Sequence, residues 1–120
     1  LSALAAGGML LASCVPGTDL PATCDDASVT VAATLVEERL EPATLEVCRG
    51  QEVTIELTVE RDAVVHLHGY DTELPAREVR AGEDVSLSFV AARAGQFPIE
   101  IHTTDGPAEA QVGTLVVHEG

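Results

Sequence analysis

The chain has 120 residues, which is enough for a single domain. It carries 20 acidic residues against six arginines and no lysine, so its formal net charge is −14. Such a charge repels nucleic acid and anionic lipid headgroups, and we expect neither as a partner. The acidic residues are dispersed along the chain, which is typical of a charge that keeps a protein in solution.

The first segment, 1–13, is uncharged and almost wholly apolar or small, and it ends directly before Cys14. It is too short to span a bilayer as a helix, but it is typical of the apolar part of a secretory signal. The run Leu11-Ala12-Ser13-Cys14 also resembles the bacterial lipobox, whose cysteine becomes diacylated and then N-terminal. We therefore predict a signal-peptide remnant over 1–13 and an extracytoplasmic lipoprotein, in the periplasm or on the outer cell surface, held to a membrane by lipid on Cys14. The alternative is an ordinary cleaved signal followed by an unmodified cysteine.

Residues 14–28 are rich in Pro, Gly, Thr and Asp, and we predict that they form a linker between the anchor and a domain over 29–120. With Cys14 assigned to lipid, Cys24 and Cys48 remain as a pair in an exported chain, and we predict a disulfide between them. It would close a loop of about 25 residues, worth about 3.5 kcal/mol in the chain-entropy model. The alternative, a pair of thiolate metal ligands, is disfavoured because no histidine lies near either cysteine in the sequence.

Alternation of apolar and polar residues dominates the rest of the chain and predicts strands. The pattern is clear over 53–60, 84–89 and 97–102, and weaker over 29–36, 43–48, 63–68 and 112–118. Turn-forming residues separate these segments, and none shows a sustained helical period. The predicted fold is all-β, an antiparallel Greek-key sandwich or barrel of about seven strands.

The order of these strands and turns resembles a cupredoxin-like domain, the fold of the small blue copper proteins. The pieces that match are Leu45-Glu46-Val47-Cys48-Arg49-Gly50-Gln51-Glu52-Val53, Asp62-Ala63-Val64-Val65-His66, Ala81-Gly82-Glu83, Ala94-Gly95-Gln96-Phe97 and Gln111-Val112-Gly113-Thr114-Leu115-Val116-Val117. The run His66-Leu67-His68-Gly69-Tyr70-Asp71 also resembles a signature of small exported cupredoxin-like proteins of bacteria. The resemblance implies a cupredoxin-like fold over 29–120.

The same resemblance implies that the blue copper site itself is missing. His66 falls where the first histidine ligand is expected, but Ile101 falls at the position of the cysteine whose thiolate gives the blue site its colour. Gln111 lies near the axial position, and the histidine expected downstream of His102 is absent. We therefore expect no blue electron-transfer site.

Three histidines remain as candidate metal ligands. His66 and His68 are two residues apart on a predicted strand, so their side chains leave the same face, and His102 could join them from a neighbouring strand. Imidazole suits Cu(II), Zn(II) or Ni(II), and we expect copper as the cofactor. Asp71 or Asp105 could supply a fourth ligand, although their spacing does not single them out.

A metal-free interpretation is also open. By alternation, all three histidines point away from the apolar core, so they could be surface imidazoles or hydrogen-bonded partners of Tyr70 and Asp71 in the following turn. His118, close to the C-terminus, is expected to be a plain surface residue.

The sequence carries no pattern of a nucleophile elbow, a phosphate-binding loop or a paired-carboxylate site, and we expect no enzymatic activity. The predicted function is therefore the binding of a divalent cation by histidines outside the cytoplasm. The alternative is a metal-free β-sandwich that presents an acidic face to another protein of the cell envelope. An accessory redox partner is a third option, disfavoured because the thiolate is missing.

Overall fold

The computed structural model describes residues 20–103 and 109–120, and within them the chain forms nine β-strands and one short 3-10 helix, Ala22–Asp25. The strands are β1 (Ser28–Val36), β2 (Arg39–Glu41), β3 (Thr44–Cys48), β4 (Glu52–Val59), β5 (Ala63–Leu67), β6 (Arg77–Val79), β7 (Asp84–Val90), β8 (Gly95–His102) and β9 (Glu109–His118). No helix in these two ranges is long and apolar enough to cross a membrane. The segment 1–13 and the predicted lipid site at Cys14 lie outside the described residues.

The strands form two sheets, one of four strands in the order β2-β1-β4-β7 and one of five in the order β3-β9-β8-β5-β6. The predicted all-β sandwich is confirmed, and each of the seven predicted strands is present. The prediction omitted β2 and β6, because three residues are too few to show alternation. Two pairs, β1 with β4 and β3 with β9, are parallel rather than antiparallel. Alternation reports which face a residue occupies but not the direction of the neighbouring strand, so the sequence could not show this.

The core lies between the sheets and is built by the same alternation. On β4, for example, Val53, Ile55, Leu57 and Val59 are 1–4% exposed. On β8, Ile99 and Ile101 are 5% and 3% exposed. Because side chains alternate along a strand, the residues between and beyond these isoleucines face outward from the five-stranded sheet.

The segment before β1 is fastened to the sandwich. The predicted disulfide is confirmed: Cys24 and Cys48 are joined, with Cα atoms 5.4 Å apart. Beside it the buried amide of Gln51 accepts a hydrogen bond from the Cys48 backbone N–H at 2.7 Å and donates to the carbonyls of Thr23 and Asp26 at 2.6 and 3.0 Å. Burying an amide is costly unless its polar atoms are paired, and here both of its polar atoms have partners.

Candidate metal centre

Strand pairing brings histidines and carboxylates together on the outer face of the five-stranded sheet. His66 on β5 lies opposite Glu100 on β8, and Glu100 in turn lies opposite Gln111 on β9. His102, two residues after Glu100, lies opposite Glu109. Directly opposite residues on one face have Cβ atoms about 4.5–5.5 Å apart, so these side chains can bind the same metal ion.

A bulge in β9 decides which of its side chains join this surface. The pairing of β8 with β9 shifts register between Ile99 and Glu100, so that Gly113 faces Ile99 while Gln111, not Val112, faces Glu100. With regular pairing, Ala110 rather than Glu109 would lie beside His102. The extra residue therefore turns Glu109 to the outer face, a re-aiming of side chains that is typical of bulges.

His66 is the centre of the cluster. It forms one group of potential ligands with His68 and Glu100 and a second group with His102 and Glu109, and within each group the ligand atoms lie within 4.8 Å of one another. The His66 ring centroid lies 5.9 Å from that of His68 and 6.2 Å from that of His102. We call these five residues the outer-face patch. The three predicted histidines thus meet around His66, although each of these groups contains only two of them.

The two nitrogens of His66 have different surroundings. Nε2 is hydrogen-bonded to the carboxylate of Asp71. Nδ1 is buried, lies 3.5 Å from Oε1 of Glu100 and has no hydrogen-bond partner among the described residues. The hydrogen bond to Asp71, with the charges of Asp71 and Glu100, raises the pKa of His66 above its ordinary 6.5, although partial burial opposes this. The same hydrogen bond lowers the pKa of Asp71.

The other histidines are more accessible or already paired. His68 is exposed, and the side chain of His102 is 31% exposed, with Nε2 3.1 Å from Oε2 of Glu109. His118 differs from the expectation of a plain surface residue, because its Nε2 lies 2.8 Å from Oε1 of Glu46 and its side chain is only 15% exposed. It belongs to neither group of the patch.

The metal-free interpretation expected Tyr70 and Asp71 to be hydrogen-bonded to the histidines, and the structure supports this for Asp71 but not for Tyr70. Asp71 is a partner of His66, as that interpretation expected. Tyr70 is not a partner of any histidine: it is fully buried, and its hydroxyl is bonded to the backbone of Arg93. Its large apolar ring gains more from the core than from the surface. Asp105 lies outside the described residues.

The residues at the blue copper positions do not fit a blue copper site. Ile101 packs in the core and offers no donor atom. The amide nitrogen of Gln111 is engaged with the carbonyl of Gly113 and the hydroxyl of Thr114, each at 3.2 Å. The donor set that the fold does bring together is imidazole and carboxylate, which is a different chemistry from the thiolate site.

Sequence reasoning missed Glu100 and Glu109. Alternation places Glu100 on the outward face of β8 with His102, but its position opposite His66 depends on the register between β5 and β8. Glu109 depends on the bulge in β9, for which the sequence gives no distinct signal beyond the glycine at 113.

Solved structures that are similar to this chain include a multicopper oxidase and a blue copper protein. The multicopper oxidase mgLAC matches with a TM-score of 0.60 and 17% identity over 78% of this chain and 39% of its own. Auracyanin A, a blue copper protein of Chloroflexus aurantiacus, matches with a TM-score of 0.55 and 19% identity over 76% of this chain and 99% of its own. Auracyanin B matches with a TM-score of 0.52 and 16% identity over 76% of this chain and 88% of its own.

These matches define the class of the fold. The chain spans about two fifths of the multicopper oxidase and nearly all of auracyanin A. At these identities the likeness concerns the fold alone, and the chain has a cupredoxin-like fold, as the sequence resemblance implied. No family model matches the chain, and no curated protein sequence is significantly similar to it.

Proposed function

We propose that this chain is an exported cupredoxin-fold protein that binds one divalent cation, with Cu(II) as the first choice, at the outer-face patch. It holds or delivers the ion outside the cytoplasm and performs no catalysis. The observation that carries the proposal is the buried Nδ1 of His66, which faces Glu100 without a hydrogen bond. Buried polar atoms are rarely left without a partner, and a cation bound between Nδ1 of His66 and Oε1 of Glu100 would provide that partner.

The spacing of the donor atoms fits a cation. Bonds from a metal to imidazole nitrogen or carboxylate oxygen are about 2.0–2.2 Å long, so two ligands at a tetrahedral angle are about 3.4 Å apart. His66 Nδ1 and Glu100 Oε1 are 3.5 Å apart, and His102 Nε2 and Glu109 Oε2 are 3.1 Å apart. His68, an exposed residue in the turn directly after β5, completes the first group.

The donor types favour a divalent ion over Cu(I). Imidazole and carboxylate suit Cu(II), Zn(II) and Ni(II), whereas Cu(I) prefers thiolate and thioether. Within the described residues there is no methionine, and both cysteines are in the disulfide. Because both groups of the patch share His66, we expect one ion per chain. A bound cation would also offset the negative charge of the carboxylates around His66.

Export is supported by the disulfide, since such bonds persist in oxidising compartments. Lipid on Cys14 would then hold the protein at the membrane. Mass spectrometry of the mature N-terminus tests this part of the proposal separately: an acylated Cys14 supports it, and an unmodified terminus elsewhere overturns it.

A metal-free interaction module remains the second candidate, and two contacts favour it. The hydrogen bond from His66 to Asp71 and the pairing of His102 with Glu109 partner two of the histidines without a cation. In this function the exposed carboxylates of the same face would contact another envelope protein.

Calorimetric titration with Cu(II) and Zn(II) separates the two candidates. Wild-type protein should bind one equivalent, and the His66→Ala/His68→Ala double variant should lose that binding. His68→Ala alone should weaken it nearly as much as His66→Ala, and His102→Ala less. His118→Ala is the matched control, because it removes an imidazole that is already paired with Glu46. Equal isotherms for the wild type and the double variant would favour the metal-free module.

A further inference from the structure

The backbone conformation of the turn that follows β5 is restricted by packing against the core. Gly69 has φ +95°, and a Cβ at this position would lie 2.7 Å from Cδ1 of Phe97, so the position requires glycine. The next residue, Tyr70, inserts its ring into the core, with centroids 4.8 Å from Phe97 and 5.3 Å from Phe89. The turn is therefore fixed from the inside by aromatic packing.

Arg93, between β7 and β8, fixes the same turn from the outside. Its backbone N–H donates to the Tyr70 hydroxyl at 2.9 Å, and that hydroxyl donates to the Arg93 carbonyl at 2.7 Å. Its guanidinium lies 4.4 Å over the Tyr70 ring and donates to the Gly69 carbonyl and to the carboxylate of Glu73 at 2.9 Å. A charged group over an aromatic face adds to this hold.

We call the contacts between Tyr70 and Arg93 the Tyr70–Arg93 clamp. Asp71 directly follows the clamped Tyr70 and lies beside the patch. Tyr70 points into the core, and Asp71, the next residue, carries its carboxylate to Nε2 of His66. The Asp71 side chain is 62% exposed and belongs to neither group of potential ligands. Its bond to His66 is thus not needed for packing.

This contact bears on which nitrogen of His66 carries the hydrogen in the neutral ring. A carboxylate at Nε2 stabilises the neutral ring that carries its hydrogen on Nε2, and the lone pair is then on Nδ1. That is the nitrogen which faces Glu100 and lacks a hydrogen bond. Histidines that bind metals usually donate their other ring N–H to a carboxylate, and losing such a partner costs about 10–100-fold in metal affinity.

We propose that Asp71 is a positioning residue, which holds the His66 ring with its hydrogen on Nε2 so that Nδ1 is the atom offered to the cation. This inference rests on the proposed metal-binding function for its purpose, but its effect on the ring exists without metal. The Tyr70–Arg93 clamp supplies the rigidity that lets one exposed carboxylate set the orientation of a neighbouring ring.

The first arm of the test uses metal-free, 15N-labelled protein at a pH where His66 is neutral. Ring-nitrogen NMR should show the Nε2–H form of His66 in the wild type. Asp71→Asn keeps an oxygen that accepts the same bond, so the form should persist, whereas Asp71→Ala should give a mixture of both forms. Glu46→Ala, which removes the carboxylate beside His118, is the matched control and should leave His66 unchanged. An unchanged ring in Asp71→Ala would overturn the proposal.

The second arm measures Cu(II) and Zn(II) affinity in the same four proteins. Asp71→Ala should weaken binding about 10–100-fold, Asp71→Asn clearly less, and Glu46→Ala not at all. Equal losses in Asp71→Ala and Asp71→Asn would overturn the positioning role, because the carboxylate would then act by its charge or as a ligand. If the wild type binds no metal, the proposed function fails, and the first arm still decides whether Asp71 holds the ring.

Discussion

The outer faces of the two sheets are both polar, but their polar side chains are paired in different ways. On the four-stranded sheet, hydroxyl groups on one strand meet hydroxyl or carboxylate groups on the next. The pairs are Thr54 with Ser88, Ser86 with Glu56, and Thr58 with Asp84, at 3.3, 2.7 and 3.2 Å. Each of these pairs is closed by a hydrogen bond.

On the outer face of the five-stranded sheet, the cross-strand neighbours are imidazoles and carboxylates, and one buried nitrogen of His66 has no hydrogen bond. Carboxylates are present on both faces, so acidity alone does not distinguish them. The comparison teaches that imidazoles set in register with glutamates, not the high negative charge of the chain, mark this surface as a candidate metal site.

The largest expected effect is on stability and concerns the Cys24–Cys48 disulfide, whose cysteines belong to neither group of the patch. Reducing the Cys24–Cys48 disulfide should lower the free energy of unfolding by about 3.5 kcal/mol, because the loop it closes regains entropy in the unfolded chain. Denaturant titration with and without reductant measures this. Metal affinity measured well below the unfolding midpoint should be unchanged, since the patch lies on other strands. A patch that lost its affinity on reduction would show that the two features are coupled.

A second prediction sets the two faces against each other directly. His66→Ala removes the residue shared by both groups of the patch and should lower Cu(II) affinity by more than about 100-fold, because losing a ligand exceeds the cost of losing its outer partner. Glu56→Ala removes a carboxylate from the four-stranded sheet and should have no effect. Competition titration with a chelator of known affinity measures both variants. Equal losses in the two variants would mean that general acidity, not the patch, attracts the cation.

The sequence predicted the strands and the facing of their side chains better than the contacts between strands. Strand β4 was evident because eight residues alternate without a break, and the outward side of His66 and His68 followed from the same period. The contacts of Glu100 and Glu109 with histidines depend on cross-strand register and on a bulge. Register is set by the whole sandwich, so a local pattern does not contain it.

The smallest expected effect is on the dependence of stability on pH. The pKa of His66 is raised in the folded protein by Asp71, so protonated His66 contributes stability that is fully present below its unfolded pKa of about 6.5. This contribution is lost as the pH rises through the raised folded value. Unfolding measured across this range without metal should therefore show stability falling with pH in the wild type.

Asp71→Ala is the matched comparison, because it removes the main cause of the raised pKa. Its stability should fall less over the same range, and its His66 should titrate at lower pH by NMR. Metal should bind more weakly as the pH falls through the folded pKa, since only neutral imidazole coordinates. Identical titration of His66 in both proteins would contradict the assigned cause.

The central claim is tested most directly by a crystal structure of the Cu(II)-loaded protein, with anomalous diffraction collected at the copper edge. We predict a single peak on the outer face of the five-stranded sheet, within about 2.0–2.2 Å of Nδ1 of His66 and an oxygen of Glu100. The account would be contradicted by a copper peak elsewhere, for example between His118 and Glu46. It would also be contradicted by the absence of a peak at the patch.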